Sequence, residues 1–165
     1  IVDIGKGTGA IALALASERT DINIFASDLS LAALAVAKQN KQSNQLPQLQ
    51  LWQGDWLTAI QKNSIDMIIS NPPYIDETDQ HLSQGDVRFE PQTALVAGQQ
   101  GLADIETITQ QAINCLKPQG WLMIEHGYQQ AEAVQTIFGK NDLERIETLQ
   151  DYGGNDRVTI GQQSV

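Results

Sequence analysis

Ile1-Val2-Asp3-Ile4-Gly5-Lys6-Gly7-Thr8-Gly9-Ala10 is a short apolar strand that runs into three alternate glycines and then into Ala10–Ser17, a small-residue helix. Glycines at alternate positions let the backbone adopt turns barred to other residues and come close to a ligand. A strand, a glycine loop and a helix in that order open a nucleotide-binding α/β fold, although Gly5-x-Gly7-x-x-Ala10 also satisfies the dinucleotide fingerprint. Asp28 ends the next strand, Ile22–Ser27, and lies 19 residues beyond Gly9. There it can accept hydrogen bonds from ribose hydroxyls in either kind of enzyme. Asp3 separates the two readings. A carboxylate just before the first glycine can orient the loop or face a cationic amino-acid ligand through water, and has no use beside a pyrophosphate.

Outward from this loop the chain alternates strand and helix. Ser30 predicts an N-cap for a helix to about Asn40, with Leu31, Leu34, Ala35 and Lys38 along one stripe. Leu49–Trp52 and Ile65–Ser70 are further strands. Leu102, Ile105, Ile108, Ala112 and Cys115 recur at helical spacing, and Lys117-Pro118-Gln119-Gly120 is a stop signal before the strand Trp121–Glu125. Ala131, Val134 and Phe138 mark another helix. Two late strands, Leu143–Leu149 and Arg157–Ile160, have no helix between them and must pair as a hairpin, which makes one of them antiparallel at the edge. The whole predicts an α/β protein: a Rossmann-like, doubly wound, mostly parallel seven-stranded sheet with an antiparallel C-terminal edge hairpin. The stretch from Ile75 to Gly101 breaks the rhythm, and a loop of roughly 25 residues in a compact domain is usually functional.

Asn71-Pro72-Pro73-Tyr74 directly follows the strand Ile65–Ser70. Two prolines donate no N–H and fix φ, so the chain leaves the sheet stiff and extended. The Asn71 amide, the Pro72 carbonyl and the Tyr74 ring are thereby held at the carboxyl end of a strand, where open α/β sheets bind ligands. Acceptors for two hydrogens and a ring for one face suit a planar group carrying NH2; a plain turn is the other reading of Pro-Pro. Gly54-Asp55-Trp56 ends the third strand, where an adenine is expected: Asp55 can accept from its exocyclic amine and Trp56 can pack on its ring.

The chain has 165 residues, enough for one domain with a core, and a net charge of −10 from 20 acidic and 10 basic residues. The basic residues are scattered, which argues against nucleic acid as a direct partner and for a protein or small-molecule substrate. No apolar run predicts a membrane span. Cys115 is the single cysteine, so an internal disulfide is impossible and a reducing, cytoplasmic setting fits. His81, His126 and Cys115 do not make a metal site; His126 and Cys115 read as structural.

Asp3-x-Gly5-x-Gly7-x-Gly9, Asp28, Gly54-Asp55-Trp56 and Asn71-Pro72-Pro73-Tyr74 together resemble the class I S-adenosylmethionine-dependent methyltransferases. With Gly85–Pro91, Ala94–Ala97, Glu125-His126-Gly127 and Asp151–Val158, the sequence is similar over essentially its whole length to the HemK/PrmC family, the peptide chain release factor glutamine N5-methyltransferases. The resemblance implies a site for S-adenosyl-L-methionine at Gly5, Lys6, Gly7, Thr8, Gly9, Asp28, Trp56 and Asn71, and a substrate clamp from Asn71 to Tyr74. It implies catalytic roles for Asn71, Pro72 and Tyr74, no metal, and as substrate and partner the glutamine of the Gly-Gly-Gln motif in bacterial class 1 release factors. Alternatives of the same chemistry are a ribosomal-protein glutamine methyltransferase and a nucleic-acid exocyclic-amine methyltransferase. An NAD-binding oxidoreductase domain and a catalytically silent binding module stand further off. Residues 1–165 would be the methyltransferase domain, with a small N-terminal helical docking domain outside this chain. Lys6 departs from the family, which usually has a small or hydroxylated residue there; it can pair with the donor's carboxylate, crowd it or face water.

Overall fold

The computed structural model describes residues 1–73 and 101–165. Tyr74, His81 and the expected loop segments 85–91 and 94–97 lie outside the described residues. Elements follow the predicted alternation: β1 Val2–Ile4, α1 Ala10–Glu18, β2 Phe25–Asp28, α2 Leu31–Ser43, β3 Gln50–Gln53 and β4 Ile65–Ser70. After the undescribed stretch come α3 Ala103–Cys115, β5 Leu116–Glu125, α4 Ala131–Lys140, β6 Leu143–Gln150 and β7 Asp156–Gln163.

Among the described residues, seven strands form one sheet in the order β3-β2-β1-β4-β5-β7-β6. β1 to β5 run parallel, and β7 lies antiparallel to both β5 and β6. The late hairpin does border the sheet. Its inverted strand is β7, placed inside against β5, while β6 takes the rim. Strand order turns back between β1 and β4, because β2 and β3 extend one way and β5 the other. In such sheets the crevice beyond that switch point is the ligand site.

Alternation along the strands divides the core into two layers. Val2 and Ile4 face a layer with Ile68, Ile105, Ile108, Leu116, Leu122, Ile124, Val134 and Phe138, all within 1% of full burial. Each such side chain contributes roughly 1.5–3 kcal/mol on leaving water. The layer is tightly fitted: a Cβ added at Gly161 on β7 would stand 2.8 Å from Phe138 Cδ2 of α4. The second layer is built from Ala12 and Ala16 of α1 with Ile24, Ala26, Leu46 and Leu49. Small side chains there let α1 lie close on the sheet.

Ser30 caps α2 as expected, its hydroxyl accepting from Ala33 N–H at 3.2 Å. The buried face of α2 differs from the expected stripe. It centres on Ala37, with Ala33 and Leu34 half-buried, while Leu31, Ala35 and Lys38 are exposed. The expected break at Lys117–Gly120 is also a strand rather than a turn. β5 starts at Leu116 and absorbs the surplus residues as a bulge between the pairs Ile65↔Leu116 and Met67↔Trp121. Gln119 takes φ 65 there, and a Cβ at Gly120 would meet the Lys117 carbonyl at 2.9 Å, so the stop signal shapes a kink within the strand.

Candidate functional site

The carboxyl ends of β1 and β4 are neighbours in register, with Ile4 opposite Ser70. Ser70 Oγ donates to the Ile4 carbonyl at 2.9 Å and latches the two ends together. The glycine loop begins at the next residue of one strand and Asn71-Pro72-Pro73 at the next residue of the other. The two motifs that dominate the sequence are therefore side by side at the switch point.

Gly5, Gly7 and Gly9 all take positive φ, of 64, 53 and 88 degrees. Gly9 serves as the N-cap position of α1, and its own Cα lies so close to α2 that a Cβ would meet Ala37 Cβ at 3.3 Å. Asn40 of α2 steadies the loop by donating from Nδ2 to the Thr8 carbonyl at 3.1 Å. Thr8 itself is exposed. At Gly7 no atom of the described residues stands within 4 Å of where a Cβ would be, so the described part of the fold leaves the crest of the loop open.

Asp28 holds this loop directly. One carboxylate oxygen accepts from Gly7 N–H and the other from Ser30 N–H, both at 2.8 Å. Each oxygen retains a further lone pair for a ribose hydroxyl. Asp3 is 1% exposed, and its Oδ2 accepts from Ala12 N–H in the first turn of α1 at 3.1 Å. Its other oxygen, Oδ1, is buried without a hydrogen-bond partner. Burial pushes the Asp3 carboxyl up to about 7; the Ala12 N–H and the Lys6 charge oppose the rise, and Asp28 adds to it. Lys6 is buried, with 7% exposed, and Nζ donates to the Gly7 carbonyl at 3.1 Å. Burial lowers its ammonium pKa against the pull of Asp28 and Asp3.

Trp56 is half-buried. With φ 45, it brings its ring over the glycine loop, so that a Cβ at Gly5 would stand 2.9 Å from Trp56 Cζ3. Asp55 is exposed and lies close enough to Asp104 on α3 for its charge to add to the burial that raises the Asp104 carboxyl. Asn71 is exposed and its carboxamide makes no hydrogen bond with the described residues, whereas Pro72 is buried and anchors the segment. Pro73 is half-buried.

These residues fit an S-adenosylmethionine-type ligand. An unpartnered buried carboxylate oxygen answers an ammonium, a half-used acid at Asp28 answers a ribose, and the open crest at Gly7 admits backbone contact. Ser70 and Asn40 escaped the sequence reading. A hydroxyl closing the apolar run Met67–Ile69 was the available signal for Ser70; Asn40 gave none, because its partner Thr8 is reached only through the fold.

Residues 1–89 match the model of the methyltransferase small domain family. The chain belongs to that family. It is 51% identical over 162 residues to the release factor glutamine methyltransferase of Escherichia coli strain K12, a match covering 98% of this chain and 58% of the relative. It is also 51% identical to the protein of that name from Pasteurella multocida, over 98% of this chain and 57% of the relative. The chain thus spans under two thirds of the length of these relatives. In fold it resembles a methyltransferase from Pyrococcus furiosus (TM-score 0.75, 15% identity, 99% of this chain and 74% of that one). It also resembles a ribosomal protein L11 methylase from Lactobacillus delbrueckii subsp. bulgaricus (TM-score 0.71, 16% identity, 98% and 69%). No described helix is long and apolar enough to cross a membrane, and no group of His, Cys, Asp or Glu among the described residues is placed to hold a metal ion.

Proposed function

We propose that this methyltransferase small domain transfers a methyl group from S-adenosyl-L-methionine to the N5 side-chain amide nitrogen of the Gly-Gly-Gln glutamine in class 1 release factors. The observation that carries the proposal is the Ile4–Ser70 register, which joins a donor-type glycine loop to an amide-type clamp. The names of relatives about half identical to this chain point the same way.

When bound, S-adenosylmethionine supplies an electrophilic methyl carbon on a sulfonium. Gly5 to Gly9, Asp3, Asp28 and Trp56 are the residues that would hold it, with Asp55 at the adenine end. An amide nitrogen is a weak nucleophile because its lone pair is delocalised into the carbonyl. The chain's task is then to place it. The Asn71 side-chain oxygen and the Pro72 carbonyl would accept its two N–H groups, with Tyr74 the residue that the family resemblance assigns to the amide plane. Fixing reactants in this way can supply up to ~7–11 kcal/mol in favourable intramolecular cases. Buried Pro72 anchors the described part of the clamp at the end of β4. A cytoplasmic site of action and a protein partner without direct nucleic-acid contact accompany this reading, in keeping with the acidic chain.

Mass spectrometry of a purified release factor after incubation with this protein and donor tests the proposal. A gain of one methyl group on the Gly-Gly-Gln glutamine is expected. Methylation of a ribosomal protein instead, with the release factor unchanged, would move the assignment to the sister activity.

A further inference from the structure

Lysine is seldom buried without a partner. Lys6 is buried in the middle of the glycine loop, yet among the described residues its ammonium makes a single hydrogen bond, to the carbonyl of the adjoining residue. An ammonium carries three donors, so two remain for a partner outside those residues. The charges that face it are Asp28 and Asp3, and neither closes on it within the 4.0 Å of a salt bridge. Across the same loop Asp3 has the opposite deficit, a buried carboxylate oxygen with no donor. The two groups lie near enough to feel each other's charge but do not satisfy one another.

A ligand carrying an ammonium and a carboxylate on one carbon would satisfy both together. A purely cationic ligand would leave Lys6 unmatched, and a pyrophosphate would meet two carboxylates. We infer that Lys6 is a specificity-determining residue that binds the carboxylate at the amino-acid end of the donor, while Asp3 answers the neighbouring ammonium. The inference rests on the methyltransferase reading above and deepens it. Family resemblance places position 6 in the donor loop but does not choose among pairing, crowding and solvent for a lysine side chain there, since a small or hydroxylated residue is usual at that position.

Calorimetric titration with S-adenosylhomocysteine and with its decarboxylated analogue reads the carboxylate contribution without any turnover. The wild-type protein should prefer the carboxylate-bearing ligand by about 10- to 100-fold, the range of a charge-assisted hydrogen bond removed from water. Lys6→Met, which keeps the stem and removes the charge, should bring that preference close to one, chiefly by weakening S-adenosylhomocysteine. Lys6→Arg should retain most of it. Thermal unfolding without ligand checks that each variant is folded. An unchanged preference in Lys6→Met overturns the inference. So does tighter S-adenosylhomocysteine binding by Lys6→Ser, which would make Lys6 an internal stand-in for the ligand's ammonium. Failure of the wild type to bind either ligand would refute the donor site itself, a result distinct from both.

Discussion

The glycine-loop side and the β5–β7 side of the sheet treat buried polar groups in opposite ways. Beside α4, His126 is fully buried and both ring nitrogens are engaged, Nδ1 with the Gly127 carbonyl at 2.9 Å and Nε2 with Thr159 Oγ1 at 2.8 Å. Thr159 in turn meets Thr148 at 2.8 Å, and Gln135 Nε2 donates to Thr148 at 2.8 Å. One consistent assignment runs through the chain: Gln135 to Thr148 to Thr159 to His126 to Gly127. It requires a neutral imidazole, and burial does lower the His126 pKa. Around the glycine loop, by contrast, Asp3 Oδ1 and Ser27 Oγ are buried without partners and Lys6 is under-used. Gln163 Oε1 at the end of β7 is the exception in the other half. Buried polar groups are nearly always satisfied in native proteins. A completed network therefore marks architecture, and a cluster of deficits marks a place prepared for something else to bind.

Asn71→Ala presses hardest on this contrast, because it removes a group that the described residues do not use. Methyl transfer should fall by about 100- to 1,000-fold, roughly 3–4 kcal/mol, by analogy with losing one preorganised contact to a reacting group. Calorimetry should show donor affinity within tenfold of wild type, and the unfolding midpoint should be unchanged. Near-full transfer by this variant would break the clamp assignment.

Asp3 predicts a pH effect of known sign. Its folded pKa is raised from 3.8 to about 7, so the native state holds a proton that the unfolded chain releases. Native stability therefore declines as pH climbs from about 4 to 7, by on the order of 4 kcal/mol in total, and stays low above that window. Urea unfolding of Asp3→Asn should lack this decline. The variant should match or exceed wild type at pH 8 while binding donor more weakly. A parallel pH profile for the two proteins would show that the Asp3 carboxyl is satisfied after all.

His126→Ala should do the reverse, costing about 3 kcal/mol of stability by opening a cavity and stranding Thr159, with donor affinity preserved. Urea unfolding alongside calorimetry separates the two quantities. Ser70→Ala is the mildest case. Losing the latch to Ile4 should cost about 1 kcal/mol, with a several-fold fall in transfer read as kcat at saturating donor.

Periodicity carried much of the fold. Ile65–Ser70 was legible to the residue, because an apolar run ended at prolines, and the stripe Ile105, Ile108, Ala112 and Cys115 was buried as expected. Alanine-rich α2 misled, since small residues give little contrast between faces and Ala37 rather than Leu31 turned inward. Pro118 and Gly120 read as an ending because their bulge is set by pairing with β4, which no local pattern records. In the site, glycines, acids and prolines announced themselves by type. The position of Trp56 over Gly5 and the burial of Lys6 depend on distant segments meeting, and only the folded chain reveals them.

The inward seat of β7 has a consequence for synthesis. A ribosome delivers β5 and β6 before the strand that must slide between them, so the sheet keeps a slot until Asp156–Gln163 emerges. A nascent chain halted after Gln150 would show β5 with one bare edge, a template on which a second copy can pair.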